Sequence, residues 1–274
     1  MQTPRDHIER RRVAVPKRRR IAAFTLIELL VVIAIIGILA SITMPALKGF
    51  GKGTVIKGAQ RQLLDDLGLA RLTAIGERTT VYMLFVPPEI GLEMAAEDPR
   101  EVHFQDFVNV FDQQYTSYAL FTERGVGAQP GRLNPKYLTE WRSLPEGMMF
   151  APYKIKGFLQ PLDFPPQWMF QQLGAEYTRP LPRRQIHFPA GEHVTKVITV
   201  PYIAFNSQGQ LTTGQDIILP IAEGGVIYER DANGNLLFNR PADYTLTPNY
   251  NYTNNFIRIN WLTGRAKIER PETF

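Results

Sequence analysis

The chain has 274 residues, no cysteine and a formal net charge of +5. Without cysteine, disulfides, thiolate catalysis and cysteine-ligated zinc are excluded. Residues 1–23 contain eight basic and two acidic side chains, a net charge of +6, so the remaining 251 residues carry a net charge of −1. Phosphate contacts need a basic surface, so no nucleic-acid partner is predicted, and the basicity belongs to an N-terminal tail.

A long apolar segment follows this tail. Leu29–Ala40 contains no charged or polar residue, and Glu28 is the single charge between Arg20 and Lys48. A helix over residues 24–47 would be about 36 Å long, enough to cross a hydrocarbon core of about 30 Å. The run is too long for one strand, and lipid requires internally satisfied backbone groups. We therefore predict a transmembrane helix over residues 24–47.

The charge distribution predicts the orientation of this helix. Basic residues precede it and the polar body follows, which places the N-terminus in the cytoplasm and residues 48–274 outside it. A cleaved secretory signal fits poorly, because the apolar run is long and no A-x-A-like site is obvious. Hydropathy alone leaves a plain uncleaved anchor open.

Glu28 favours a functional segment over a plain anchor, because a carboxylate inside an apolar helix costs a few kcal/mol. The alternative is that Glu28 lies near the headgroups and extends its carboxylate toward water.

The residues around Glu28 carry a family resemblance. The run Ala23-Phe24-Thr25-Leu26-Ile27-Glu28-Leu29-Leu30 resembles the type IV prepilin processing motif, shared by pilins and the pseudopilins of type II secretion. The resemblance implies that a membrane-embedded prepilin peptidase cuts between Ala23 and Phe24 and methylates the new amine of Phe24. It also implies that Glu28 is the assembly carboxylate and that Pro45 kinks the helix. Ala23 departs from the family, which usually has glycine before the cut.

Cleavage at that bond would also make physical sense. It would remove the +6 tail and leave a cationic amine at the membrane edge, which Glu28 of a neighbouring subunit could pair with. Opposite charges attract several times more strongly in a low dielectric than in water, and both are costly there when unpaired.

The next segment predicts a helical continuation over residues 48–78. Pro45 is expected to end or kink the spanning helix, and the glycine-rich residues 48–53 to form a soft joint. Apolar residues then recur every three or four positions and define one helix face, with Gly76 as the stop: Ile56, Ala59, Leu63, Leu67, Ala70 and Ala74. The β-branched and aromatic run 79–86 predicts a strand.

These elements predict an α+β protein in which a long N-terminal helix packs on an antiparallel β-sheet domain over residues 79–274. Ten of the 21 prolines fall between Pro130 and Pro189, together with many aromatic residues. We read residues 89–190 as a large, ordered, loop-rich insertion.

The C-terminal third predicts three strand–turn–strand units, over residues 202–219, 226–238 and 256–268. Together with residues 141–147, the first and third units resemble H-type minor pseudopilins.

No catalytic constellation is predicted, so the chain is expected not to be an enzyme. His187 and His193 have no zinc-site spacing, and no metal ligands or cofactor are assigned. Asp231–Asn235 imitates the opening of a calcium loop, but its glycine and its twelfth residue, Ala242, do not fit. A hairpin turn is favoured there and calcium is a minor possibility.

The sequence thus predicts a structural subunit, a pilin-like protein and a minor pseudopilin in particular. Its expected partners are other pilin or pseudopilin subunits, the prepilin peptidase and the inner membrane, with the C-terminal domain in the periplasm or in an extracellular filament. The alternative is a membrane-anchored periplasmic binding module that uses the signal for export alone. A major pilin is disfavoured, because the large insertion would crowd a helical array.

Overall fold

The computed structural model of the chain describes residues 25–95, 102–125, 134–156, 174–188, 197–238, 240–246 and 256–270, except the side chains of residues 42–53, 94–95 and 102–106. The chain divides into two compact units, Met1–Phe50 and Gly51–Phe274. The leader predicted over residues 1–23 lies outside the described residues.

The first helix, α1, runs from Leu26 to Gly76 without interruption. The expectation that Pro45 ends the helix is therefore wrong, while a kink there stays a prediction. Proline has a φ close to the helical value, so a helix can continue through it with the loss of one hydrogen bond. The glycine-rich residues 48–53 are likewise helical.

Among the described residues, no helix combines the length and the apolar character that crossing a membrane requires. The membrane span predicted over residues 24–47 is therefore not found in the described helix, whose described side chains in this stretch end at Ser41.

Beyond α1, the described residues form four short helices and eleven strands. The helices are α2 Ile90–Ala95, α3 Val102–Phe111, α4 Pro152–Ile155 and α5 Ala175–Thr178. The strands are β1 Val81–Phe85, β2 Ser117–Thr122, β3 Lys136–Tyr137, β4 Arg142–Ser143, β5 Met148–Phe150, β6 Arg183–His187, β7 Val197–Phe205, β8 Ile217–Ile227, β9 Asp243–Leu246, β10 Phe256–Ile259 and β11 Ala266–Glu269.

The strands form two antiparallel sheets. In the described residues the first sheet has the order β3-β2-β1-β7-β6, with β4 also pairing with β2. The second has the order β11-β10-β8-β5, with β9 also pairing with β8. The chain is therefore an α+β protein, as predicted.

The second half of α1 packs on both sheets through the predicted face. Ala59, Leu63, Leu67, Ala70 and Ala74 are fully buried, and Ile56 packs at the edge of the same core. Inner residues of the first sheet (Val81, Met83, Phe85) and of the second (Leu219, Ile221, Ile257) belong to this core. The buried face that the periodicity of the apolar residues predicted is therefore confirmed.

The opposite face of the first sheet is also covered. Alternate residues of β1, Tyr82 and Leu84, belong to a second core that contains Phe107 and Phe111 of α3. A strand buried on both faces has a continuous apolar sequence without alternation. This explains why all five residues of β1 are buried.

The prediction of a loop-rich insertion over residues 89–190 is wrong for its described parts. They contain α2 to α5 and β2 to β6, and β2 pairs with β1 at the centre of the first sheet, with Met83 opposite Leu120. All six residues of β2 are buried. Without one polar face, its sequence has no period-2 signal, which is why the strand was missed.

The three C-terminal units have different outcomes. The terminal hairpin is confirmed, since β10 and β11 pair with Ile257 opposite Ile268. The prediction that the two strands of the first unit pair with each other is wrong, because β7 belongs to the first sheet and β8 to the second. In the second unit the end of β8 pairs with β9, and residues 236–238 contribute a single bridge, Arg230 with Leu236.

The end of α1 at Gly76 is confirmed and shows a Schellman geometry. The amide of Thr79 donates to the carbonyl of Ala74 (3.2 Å), and the amide of Arg78 donates to that of Ile75 (3.4 Å). Arg78 occupies the position where glycine is usual and has a φ of +52°. A side chain in this left-handed conformation costs about 1 kcal/mol.

A polar cluster holds α1 on the first sheet. Asp66 is almost fully buried, and the hydroxyl of Tyr118 on β2 donates to its Oδ2 at 2.6 Å, while Arg142 of β4 forms an ion pair with it. Gln62, one turn earlier, donates to the Tyr118 hydroxyl and to the carbonyl of Ser143, both at 3.0 Å. Burial, followed by the hydrogen bond to Asp66, raises the pKa of Tyr118 well above its usual value.

We predict that Asp66→Asn lowers the free energy of unfolding by about 2 kcal/mol, because it removes a charged acceptor from a buried hydroxyl and the partner of Arg142. Asp65, the adjacent residue, is exposed, so Asp65→Asn is the matched control and should change stability by less than about 0.5 kcal/mol. Urea denaturation of the full chain in detergent measures both. Equal effects of the two substitutions would contradict the role given to the cluster.

Candidate functional site

The start of α1 carries a reciprocal hydrogen-bond arrangement between Thr25 and Glu28. The Glu28 Oε2 accepts the backbone amide of Thr25 at 3.0 Å and the Thr25 hydroxyl at 2.7 Å. The amide of Glu28 in turn donates to the Thr25 Oγ1 at 3.3 Å. This is a capping box, in which the first residue and the third helical residue satisfy each other's unpaired amides.

The capping box gives the Glu28 carboxylate hydrogen-bond partners in its own chain. Thr25 provides two donors to the Glu28 carboxylate within the same chain, in addition to the neighbouring subunit's amine that the resemblance implies. The signal was present in the sequence, since threonine followed three residues later by glutamate is typical of a helix start. Both donors use Oε2, and within the described residues Oε1 accepts no hydrogen bond.

The helix that begins at this cap exposes apolar side chains in every direction. All of residues 25–41 are exposed, including eleven large apolar side chains whose exposed fractions range from 44% to 82%. Burying such a side chain contributes about 1.5–3 kcal/mol, so this surface favours apolar surroundings by roughly 20 kcal/mol in total. Exposed apolar surface of this extent marks an interaction site.

The other residues assigned from the sequence are only partly described. Ala23 and Phe24, the predicted cleavage pair, lie outside the described residues. The backbone of Pro45 is helical, but its side chain is not described. The assembly role of Glu28 stays a prediction.

The residues considered for metal binding are not brought together in the described part of the chain, where no group of three or more potential ligand side chains occurs. His187 ends β6, and His193 lies outside the described residues. Asp231 forms a tight turn, as predicted: its Oδ1 accepts the amides of Asn233 and Asn235, both at 2.8 Å. A further hydrogen bond, from the Asn235 side-chain amide to Oδ2 at 3.0 Å, contributes most to lowering the pKa of Asp231, and the backbone amide of Asn235 follows.

A buried lysine lines a small pocket beside α5, and sequence reasoning missed it. Lys154 is 2% exposed, and its Nζ donates to the carbonyl of Arg179 at 2.6 Å. The pocket has a volume of about 170 Å³ and is also lined by Glu176, Asp216 and Ile218. No pattern in the sequence indicates such a lysine, because its burial arises from the packing of α4 against the segment after α5.

Burial, followed by the nearby charge of Arg179, lowers the pKa of Lys154 from 10.5 to about 7. A folded-state pKa below the unfolded one means that the unfolded chain binds more protons between these values. The free energy of unfolding should therefore rise between pH 7 and pH 10.5, with a slope of up to about 1.4 kcal/mol per pH unit. Below pH 7 the destabilisation caused by burying the charged Lys154 should be fully present.

We predict that Lys154→Met abolishes this rise, since methionine has a similar length and no titratable group. Lys156→Met is the matched control, because Lys156 is two residues away and less buried. The free energy of unfolding between pH 6.5 and pH 9.5 measures the effect. A rise that persists in Lys154→Met but not in Lys156→Met would contradict the assignment.

Comparison with known families places a motif on the segment that contains the capping box. Residues 18–44 match the family model described as the prokaryotic N-terminal methylation motif. The match includes Ala23, Phe24 and Glu28. The chain therefore carries the prepilin-type signal of type IV pilins and pseudopilins, as the resemblance implied.

Comparison with curated proteins and with solved structures finds no significant match. The similarity to H-type minor pseudopilins stays a prediction.

Proposed function

We propose that the chain is a pilin-like structural subunit with no catalytic activity of its own. A prepilin peptidase cuts it between Ala23 and Phe24 and methylates Phe24. The product is held in the inner membrane, with residues 48–274 in the periplasm, until it joins a filament of similar subunits. The match of residues 18–44 to the N-terminal methylation motif carries this proposal.

The apolar surface of residues 25–41 supports it. A helix that is apolar all round is suited to lipid or to a bundle of like helices, and not to water. In the proposed function the two environments succeed each other, because the helix leaves lipid when the subunit enters the filament. The apolar side chains remain out of water throughout.

The capping box supports a defined role for Glu28 in this transfer. A carboxylate in apolar surroundings is costly without hydrogen bonds, and Thr25 supplies two to Oε2 in the isolated chain. A subunit awaiting assembly would therefore keep the carboxylate satisfied. The amine of Phe24 on a neighbouring subunit would then add an ion pair through Oε1, where the low dielectric strengthens the attraction.

The second unit fits a subunit that is presented outside the membrane. The buried face of α1 from Ala59 to Ala74 is covered by two sheets, so residues 51–274 have their own core. In the proposed function this unit is the periplasmic head. The motif is shared by type IV pilins and the pseudopilins of type II secretion, so we propose that the filament belongs to one of these two systems.

Two substitutions separate the charge of Glu28 from its capping role. Glu28→Gln removes the charge while glutamine still completes a capping box, and Thr25→Ala removes the cap while the charge remains. We predict that Glu28→Gln is cleaved normally but enters filaments at least about tenfold less, the effect of losing roughly 1.4 kcal/mol of ion pairing. Thr25→Ala should cost about 1 kcal/mol of helix capping and assemble within a few-fold of wild type.

Cleavage is measured by N-terminal mass spectrometry, and incorporation by crosslinking each variant to wild-type subunits in sheared filaments. Wild-type incorporation of Glu28→Gln would contradict the pairing role. So would an assembly defect in Thr25→Ala as large as that in Glu28→Gln, because capping and not charge would then explain both.

A further inference from the structure

Three elements of the first sheet meet at one end, beyond the C-terminus of α1, and form an open pocket of about 450 Å³. The register brings the start of β1 beside the ends of β2 and β7, since Val81 is opposite both Thr122 and Phe205. The pocket is lined by three arginines, one glutamate and three hydroxyl side chains: Arg78, Arg124, Arg184, Glu123, Thr79, Thr80 and Ser207.

Thr122 is fully buried and lies beside this pocket, which we call the basic pocket, since it precedes the lining residues Glu123 and Arg124. Its hydroxyl lies within hydrogen-bond distance of the carbonyls of Thr80 (3.0 Å) and Arg124 (2.9 Å), to one of which it donates, and it accepts the amide of Arg124 at 3.3 Å. The hydroxyl of Thr79 is 3.2 Å away. The backbone at Arg124 is therefore tied to the strand that follows Arg78. Such bonds hold the bases of the two arginines in place while their side chains remain exposed.

The charges of the basic pocket do not balance. Arg184 pairs with Glu123, its Nη2 lying 2.9 Å from Oε1 and 3.1 Å from Oε2. Within the described part of the chain, Arg78 and Arg124 form no ion pair. Among the described residues, these two cations of the pocket therefore have no ion-pair partner of their own, and they lie next to an arginine that already pairs with a carboxylate through one nitrogen.

The conformation of Arg78 is a second, independent observation. Its φ of +52° places an arginine where glycine would complete the helix cap without strain. Backbone strain of this kind persists where the surrounding structure enforces it, and it is concentrated at functional sites. The strain is in the residue that contributes an unbalanced cation to the pocket.

We propose that the basic pocket binds an acidic peptide segment of a partner protein, through its carboxylates. Arg184 already pairs with the carboxylate of Glu123 in this pocket, and the hydroxyls of Thr79, Thr80 and Ser207 supply further donors. This inference does not rest on filament assembly, because binding can be measured on the purified chain.

The test uses the full chain in a non-ionic detergent and a fluorescein-labelled hexaglutamate peptide, followed by fluorescence anisotropy at low salt. The double variant Arg78→Gln/Arg124→Gln should weaken binding at least about tenfold, since each lost contact is a charge-assisted hydrogen bond. Lys57→Gln/Arg61→Gln is the matched control: it removes the same charge from exposed positions of α1 about 25 to 32 Å from Arg78 and should change binding less than twofold.

Two further variants keep the result interpretable. Arg78→Gly relieves the strained conformation, so it should melt no lower than wild type and still bind the peptide less tightly. Arg78→Glu/Arg124→Glu should lose hexaglutamate and gain a labelled hexalysine peptide.

Equal losses in the pocket and control variants would overturn the proposal, because attraction would then depend on net charge alone. Unchanged binding in the pocket variant would also overturn it. Inorganic phosphate at millimolar concentration should leave the peptide bound. Displacement of the peptide by millimolar phosphate, but not by sodium chloride of the same ionic strength, would assign the pocket to a free oxyanion and reject a peptide ligand.

Discussion

Glu28 places a carboxylate at the start of a helix whose neighbouring side chains are apolar and exposed, and the proposed function depends on how that charge is satisfied. In the isolated chain Thr25 satisfies it through a capping box. The cap uses one carboxylate oxygen, Oε2. A group that arrives from another molecule could therefore add to this arrangement without first breaking it, as the proposed assembly requires.

In the second unit the same helix packs against a folded domain. From Gly51 onward α1 has one buried face, and the two sheets cover it. The cluster of Asp66, Tyr118 and Arg142 sets the position of the helix on the first sheet by polar contacts, which are directional, whereas the apolar contacts are not. One continuous helix thus has two kinds of surface, apolar all round at its start and amphipathic further on.

Whether a helix or strand of this fold could be predicted from the sequence depends on whether one of its faces is polar. The amphipathic half of α1 and the hairpin of β10 and β11 have one polar side, and the sequence pattern predicted both. The strand β2 is buried on both faces, so its sequence lacks a period. The partners of β7 and β8 depend on a crossover between the two sheets. The burial of Lys154 depends on tertiary packing, and the conformation of Arg78 depends on a backbone angle. None of these leaves a signal in the local sequence. The motif around Glu28 was recognisable because its residue types and spacing are themselves the signal.

The identity of the first residue of the native protein tests the central claim most directly. N-terminal mass spectrometry of the chain extracted from its host membrane should find a polypeptide of 251 residues that begins at Phe24 and carries one additional methyl group on its amine. Such a chain has lost the +6 tail and gained the cation that Glu28 is proposed to meet. A native polypeptide that still begins at Met1 would contradict the account, because the partner amine would never be formed.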